Sequence, residues 1–302
     1  MKKLYWMLAL AGAACQQQTP PVENKATVAV KPAITDTTQT AAPAHAEQPL
    51  PMLFAAGDTL TQPMRKLLRT QDLSPLWQDI EQSDYTDRSS FQGFFGSEHY
   101  HFALVITPAA RDAADPAVYH VSGKTRYFQS HNIRSFTGIL TVRQIVDLSY
   151  PGFLAVMAQR EEKAIDSLEG HTYTARARLQ LREENTTNSG LFEGEGMLDF
   201  YTVPGQKPGY VGVFAFEGTD DRLPTHGGGV LLRGNRRNVS TGQVKPFIVS
   251  PDVSAIAPFV FKDFMLDERM GQINPKYAKL GWNAYWENDE WWADSPKPKL
   301  SL

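Results

Sequence analysis

The sequence predicts an all-β domain: an antiparallel meander closing into a barrel, with a two-sheet sandwich as second choice, preceded by short helices. Three observations carry this. His171–Glu183 alternates, with Tyr173, Ala175, Ala177, Leu179 and Leu181 on one side and Thr172, Thr174, Arg176, Arg178, Gln180 and Arg182 on the other. Gly190–Tyr201 alternates as well, Phe192, Gly194, Gly196, Leu198 and Phe200 against Glu193, Glu195 and Asp199. Many further short apolar runs are separated by Gly, Pro and Asn turns.

The two alternating segments flank a polar cluster, 184–189, and read as a hairpin with a shared dry face. A one-residue slip would turn the apolar face outward, so only every second register is open. The preferred register sets Arg178 against Glu193 and Arg176 against Glu195. The runner-up keeps only Arg178 with Glu195. Opposed charges across strands contribute about 0.2–1 kcal/mol per pair. Ala175, Ala177, Gly194 and Gly196 form a small-residue stretch on the dry face. Glycine inside a strand suits a bend or the close approach of a bulky neighbour.

In chain order, 1–14 reads as a signal peptide, 15–50 as a lipidated cysteine and tether, 51–98 as a short helical segment, and 99–302 as the β domain. Lys2 and Lys3 precede an apolar run from Leu4 to Ala14. That run is shorter than the roughly 20 helical residues a bilayer requires. It ends in Leu10-Ala11-Gly12-Ala13-Ala14-Cys15, which resembles the lipobox of bacterial lipoproteins, with Gly12 where leucine is usual. The resemblance implies that Cys15 becomes the lipidated N-terminus. Gln16 after it implies the outer membrane. Residues 16–50 lack aromatics and are rich in Gln, Thr, Pro and Ala, a composition that orders poorly. A linker of this length spans about 30–35 Å on average. The expected partner is therefore a membrane, reached through the acyl chains.

Thr61 and Ser74 are hydroxyl caps for two short helices, with Leu67, Leu68, Leu76, Trp77 and Ile80 as buried contacts covering one end or edge of the sheet. From Phe91 the chain reads as β. Strands are expected at 100–106, 117–121, 124–128, 137–148, 153–159, 210–218, 230–233, 246–249 and 256–261 besides the hairpin. Gly93-Phe-Phe-Gly96-Ser-Glu-His-Tyr, Val118–Tyr127, Phe136-Thr-Gly138 and Asn274-Pro-Lys-Tyr277 resemble a group of uncharacterised lipoproteins of Gram-negative bacteria. The resemblance implies no activity and no catalytic residue.

The net charge of −3 gives no broad basic signature, so nucleic acid is not an expected partner. No cofactor or metal is expected. Gly123-Lys124-Thr125 lacks the upstream glycine of a phosphate loop, because position 118 is valine. His226-Gly227-Gly228-Gly229 lacks the nucleophile elbow that accompanies an esterase oxyanion loop, and reads as a flexible turn. His99, His101 and His120 could gather round zinc but read as polar-face histidines. Glu193 and Glu195, about 6.5–7 Å apart along a strand, could act as a glycosidase acid–base pair. Ion pairing with arginines is the plainer reading. Trp282 and Tyr285, at helical spacing, read as core. Trp291 and Trp292, flanked by Glu290 and Asp294, are the candidate ligand-binding pair. The expected function is non-enzymatic binding of a small molecule, glycan or protein; the alternative is a cell-envelope glycan hydrolase using Glu193 and Glu195.

Overall fold

The computed structural model describes residues 60–78, 90–148, 171–184, 188–211, 224–266, 272–285 and 291–292. All fall within one compact unit, 45–302. The expected strand at 153–159, most of that at 210–218, Ile80 and the whole leader and tether lie outside the described residues.

The strands are β1 (Phe91–Phe95), β2 (Tyr100–Arg111), β3 (Val118–Tyr127), β4 (Asn132–Asp147), β5 (His171–Glu183), β6 (Gly190–Thr202), β7 (Gly209–Tyr210), β8 (Val230–Asn238) and β9 (Val244–Ser250). They form one sheet in the order β5-β4-β3-β2-β1-β9-β8-β6-β7, and β5 also pairs with β6. That last pairing closes an eight-stranded antiparallel ring. The two-residue β7 continues the β8 side of β6, pairing with Phe200 and Tyr201. The meander is thus next-neighbour almost throughout, even across the long 148–170 connection between β4 and β5. β1 lies upstream of residue 99, so the ring takes in the end of the 51–98 segment.

The hairpin register is the runner-up: Arg178 faces Glu195, and Glu193 faces Gln180. The cross-strand charge count misled because Glu195 has a second neighbour strand, where Arg233 lies opposite and 3.4 Å away. Gln144, on β4, accepts from Arg176 at 3.0 Å. Segment 117–128 is one strand rather than two. Segment 256–261 is no strand: 3-10 turns occupy Val253–Ala255 and Ala257–Phe259, the second carrying Pro258 in its first turn.

Inside the ring lies the main core, including Phe102, Leu104, Phe136, Leu140, Leu179, Phe192, Phe200, Leu232 and Phe247. An eight-stranded ring is just wide enough for side chains to fill it. β6 and β8 pair glycine to glycine at one point. Gly194 faces Gly234. A Cβ on Gly194 would stand 2.0 Å from the Arg233 carbonyl oxygen, so no side chain fits there.

One end of the ring is closed by two helices, α1 (Gln62–Thr70) and α2 (Ser74–Trp77). Thr61 caps α1, accepting from the Met64 amide at 3.5 Å. Ser74 is not a cap but the first residue of α2; Asp72 accepts from both its amide and its hydroxyl. Leu68, Leu73, Leu76 and Trp77 enter the ring core, Trp77 with no exposed surface. The small-residue stretch makes room for that indole: a Cβ on Gly196 would meet Trp77 at 3.3 Å and Leu140 at 3.4 Å. Arg111 donates to the Leu68 carbonyl at 2.7 Å, and Gln78 to the Ala109 carbonyl at 3.0 Å, pinning the stopper to β2.

A second apolar cluster lies outside the ring. Phe94, Met197 and Leu231 point outward from β1, β6 and β8 and meet Val253, Ile256, Phe264, Tyr277, Trp282 and Tyr285. Trp282 and Tyr285 are buried, in and after a 3-10 turn, as their spacing predicts. This strap also covers part of the face of β6 that its charges mark as wet. Glu195 is 2 % exposed and Asp199 fully buried.

Candidate functional site

The singled-out residues that the structure describes fall in different environments. Glu193 is exposed, whereas Glu195 is buried beside Arg233. The two carboxylates share a strand face without sharing an environment. A glycosidase pair needs both to line one cleft.

His99 is not in a strand but in the turn before β2, with a left-handed φ of 58°. His101 is no polar-face histidine. It is buried, stacked on Phe128 at 3.6 Å and on Trp282 at 4.1 Å. Nδ1 lies 3.0 Å from the Gly281 carbonyl oxygen and Nε2 2.6 Å from the Gln92 amide. Burial pushes its pKa down to about 3, so the ring is neutral. His120 is exposed and lies 2.8 Å from Asp112. That hydrogen bond, followed by two backbone amides, lowers the Asp112 carboxyl to about 2. Among the described residues no three His, Cys, Asp or Glu side chains gather to hold a metal.

Trp291 and Trp292 are half-buried and meet edge to face, with ring centroids 5.5 Å apart. Lys124 donates to the Trp292 carbonyl at 2.7 Å, which places the pair against the outer face of β3. Gly123-Lys124-Thr125 runs through the middle of that strand, far from any helix start. Cys15 lies outside the described residues.

Two buried polar clusters escaped the sequence reading. At the end of the ring opposite the helices, Glu183 points inward, with no exposed side-chain surface. It accepts from Tyr127 at 2.7 Å, Thr125 at 3.1 Å and Arg236 at 2.8 Å, with Arg134 at 4.0 Å. Burial, and then the Glu183 charge, raise the Tyr127 phenol well above its ordinary value. Gly190 leaves room for Arg236, whose Nε would stand 2.3 Å from a Cβ there. The signal was present: Glu183 continues the inward parity of Tyr173 to Leu181, and Arg236 that of Val230, Leu232 and Gly234. A charge on the dry side of a strand must find partners.

The second cluster surrounds Asp199 on the outer face. Thr174 and Thr225 both donate their hydroxyls to it. Thr225 in turn accepts from the Gly229 amide at 3.0 Å, and Tyr210 donates to the Gly228 carbonyl at 2.5 Å. The His226–Gly229 loop is therefore a pinned turn rather than a flexible one.

A surface groove of about 640 Å³ lies beside the helical stopper, lined by Arg69, Asp72, Ser74, Arg111, Asp112 and Pro116 among others. Four of these already hold structural bonds: Arg111 to α1, Asp72 to Ser74, Asp112 to His120.

No family profile, curated protein or solved structure matches this chain.

Proposed function

We propose that this protein is a lipid-anchored extracytoplasmic binding module that recognises its partner on the outside of the ring. The observation that carries the reading is the filling of both ends. Trp77 and its helices occupy one, the Glu183–Arg236–Tyr127 cluster the other, and a packed core lies between. Among the described residues such a ring offers a small molecule no interior chamber, unlike wider or unstoppered rings. Its surface and the border Trp291–Trp292 pair remain for recognition. Cys15, the apolar leader and the 16–50 tether support a membrane address, with the outer membrane favoured by Gln16. The hydrolase reading gains nothing from a Glu195 that is buried and already engaged by Arg233.

The anchor is tested by radiolabelled palmitate in cells. Label is expected in the wild-type chain and absent from Cys15→Ala; equal labelling of the mutant removes the anchor. Binding is tested by thermal shift against oligosaccharides, lipids and proteins. A saturable stabilisation is expected, whereas steady turnover of a glycan, abolished by Glu193→Gln, contradicts the reading.

A further inference from the structure

The outward positions of three consecutive strands carry charge of one sign. On β3 these are Val118, His120, Ser122, Lys124 and Arg126; on β4, Ile133, Ser135, Thr137, Ile139, Thr141, Gln144 and Val146; on β5, Thr172, Thr174, Arg176, Arg178, Gln180 and Arg182. Arg143, at the β4 bulge, is exposed beside them. No aspartate or glutamate occupies this set, in a chain whose net charge is −3. The basic field ends at β6, where Glu193 and Glu195 begin, at the exposed Glu184 just past β5, whose amide bonds the Ser135 carbonyl, at Asp147 closing β4, and at Asp112, which is bound to His120. Arg176 is held by Gln144, Arg126 lies 4.2 Å over the Phe128 ring, and Lys124 reaches Trp292. Arg143, Arg178 and Arg182 are exposed and make no ion pair among the described residues.

Resting on the binding-module reading above, we propose that this face docks an acidic polysaccharide. Charge complementarity calls for an anionic partner. Arginines grip carboxylate, sulfate or phosphate through two parallel hydrogen bonds. Arg178 and Arg182 stand about 13 Å apart along β5, a spacing that engages repeated charges on an extended chain. Between them the outward side chains of β5 and β4 are Gln180, Thr137, Thr141 and Ile139, of which the three polar ones suit sugar hydroxyls. Its aliphatic side chains, Val118, Ile133, Ile139 and Val146, are interspersed with Arg, Thr and Gln, and the tryptophan pair stands at its border, so they form no apolar centre of the kind on which protein partners anchor. The broad outer face of a closed ring does not enter a nucleic-acid groove as a helix or two-stranded ribbon does. Trp291 and Trp292, tied to the same face by Lys124, add ring surfaces on which a sugar can stack.

The test uses the chain from residue 15 onward with Cys15→Ser, so that no acyl chain contributes. Binding is measured to heparin, polygalacturonate, neutral dextran, double-stranded DNA and phosphatidylglycerol vesicles. Heparin and polygalacturonate are expected to bind, with affinity falling roughly tenfold or more from about 50 to 200 mM salt. Arg178→Gln/Arg182→Gln is expected to weaken both severalfold with the thermal midpoint unchanged, and Arg178→Glu/Arg182→Glu at least tenfold, with a lowered midpoint because Glu at 178 faces Glu195. Lys262→Glu, exposed on the strap, should change neither. Trp291→Ala/Trp292→Ala should weaken binding without altering its salt dependence. Polysaccharide affinity that survives both arginine pairs, or DNA or vesicles bound as tightly as the polysaccharides, overturns the proposal. A saturable ligand that ignores the arginine variants would overturn this surface alone and leave the binding-module reading standing.

Discussion

His101 shows how one side chain ties the outer strap to the ring. It is clamped between Phe128 and Trp282, with Nδ1 on the Gly281 carbonyl. Desolvation holds its folded pKa near 3, against 6.5 for an ordinary histidine. The unfolded chain therefore binds the extra proton first. Its contribution is complete above pH 6.5 and is lost as pH falls towards 3. At pH 5 the loss amounts to about 2 kcal/mol. Denaturant unfolding at pH 7.5 and 5 checks this. His101→Phe keeps the stacking but cannot titrate, so its stability should fall by about 2 kcal/mol less than that of wild type over the same interval. Identical pH slopes would remove the buried neutral histidine from the account. Nothing in the local sequence announced this environment. His101 precedes Phe102 in a run that reads as an ordinary strand, and its cover arrives from Trp282, far along the chain.

Among the elements, β5 and β6 were the most legible. Their two-residue periods gave the strands, the hairpin and the dry face containing Ala175, Ala177, Gly194 and Gly196. The register was less legible. Arg178 can be matched to either glutamate when only β5 and β6 are considered, and Glu195 was claimed from the other side by Arg233 on β8. Segment 256–261 failed for a different reason. Ile256, Phe259, Val260 and Phe261 look strand-forming, but Pro258 and the outer apolar patch of Phe94, Met197 and Leu231 favour short turns over a ladder. The ionic end offers an element-scale prediction. Arg236→Ala leaves Glu183 buried with Arg134 at 4.0 Å as its nearest cation. Breaking such a pair costs about 3–5 kcal/mol. Glu183→Gln, which can still bond Tyr127 and Thr125, should cost less. Equal, small losses in the two variants would mean that water already reaches this end.

At the scale of the whole molecule, the amino-terminal stopper belongs with the ring rather than beside it. Sequence predicted helices covering an end or edge, but not that Trp77 would fill the gap left by Gly196. That contact joins residues far apart in the chain and has no periodic signature. It decides what kind of binding protein this can be, because a filled interior moves recognition to the surface. Truncating Trp77 should destabilise the fold by about 3–5 kcal/mol and open a cavity among Leu140, Leu232 and Gly196. Thermal-shift titration with indole, which matches the deleted side chain, tests this most directly. No saturable stabilisation of the wild-type chain is expected, and a single saturable site in Trp77→Ala. A wild-type chain that takes up one indole per molecule, displaced by a fatty acid, would contradict the filled interior.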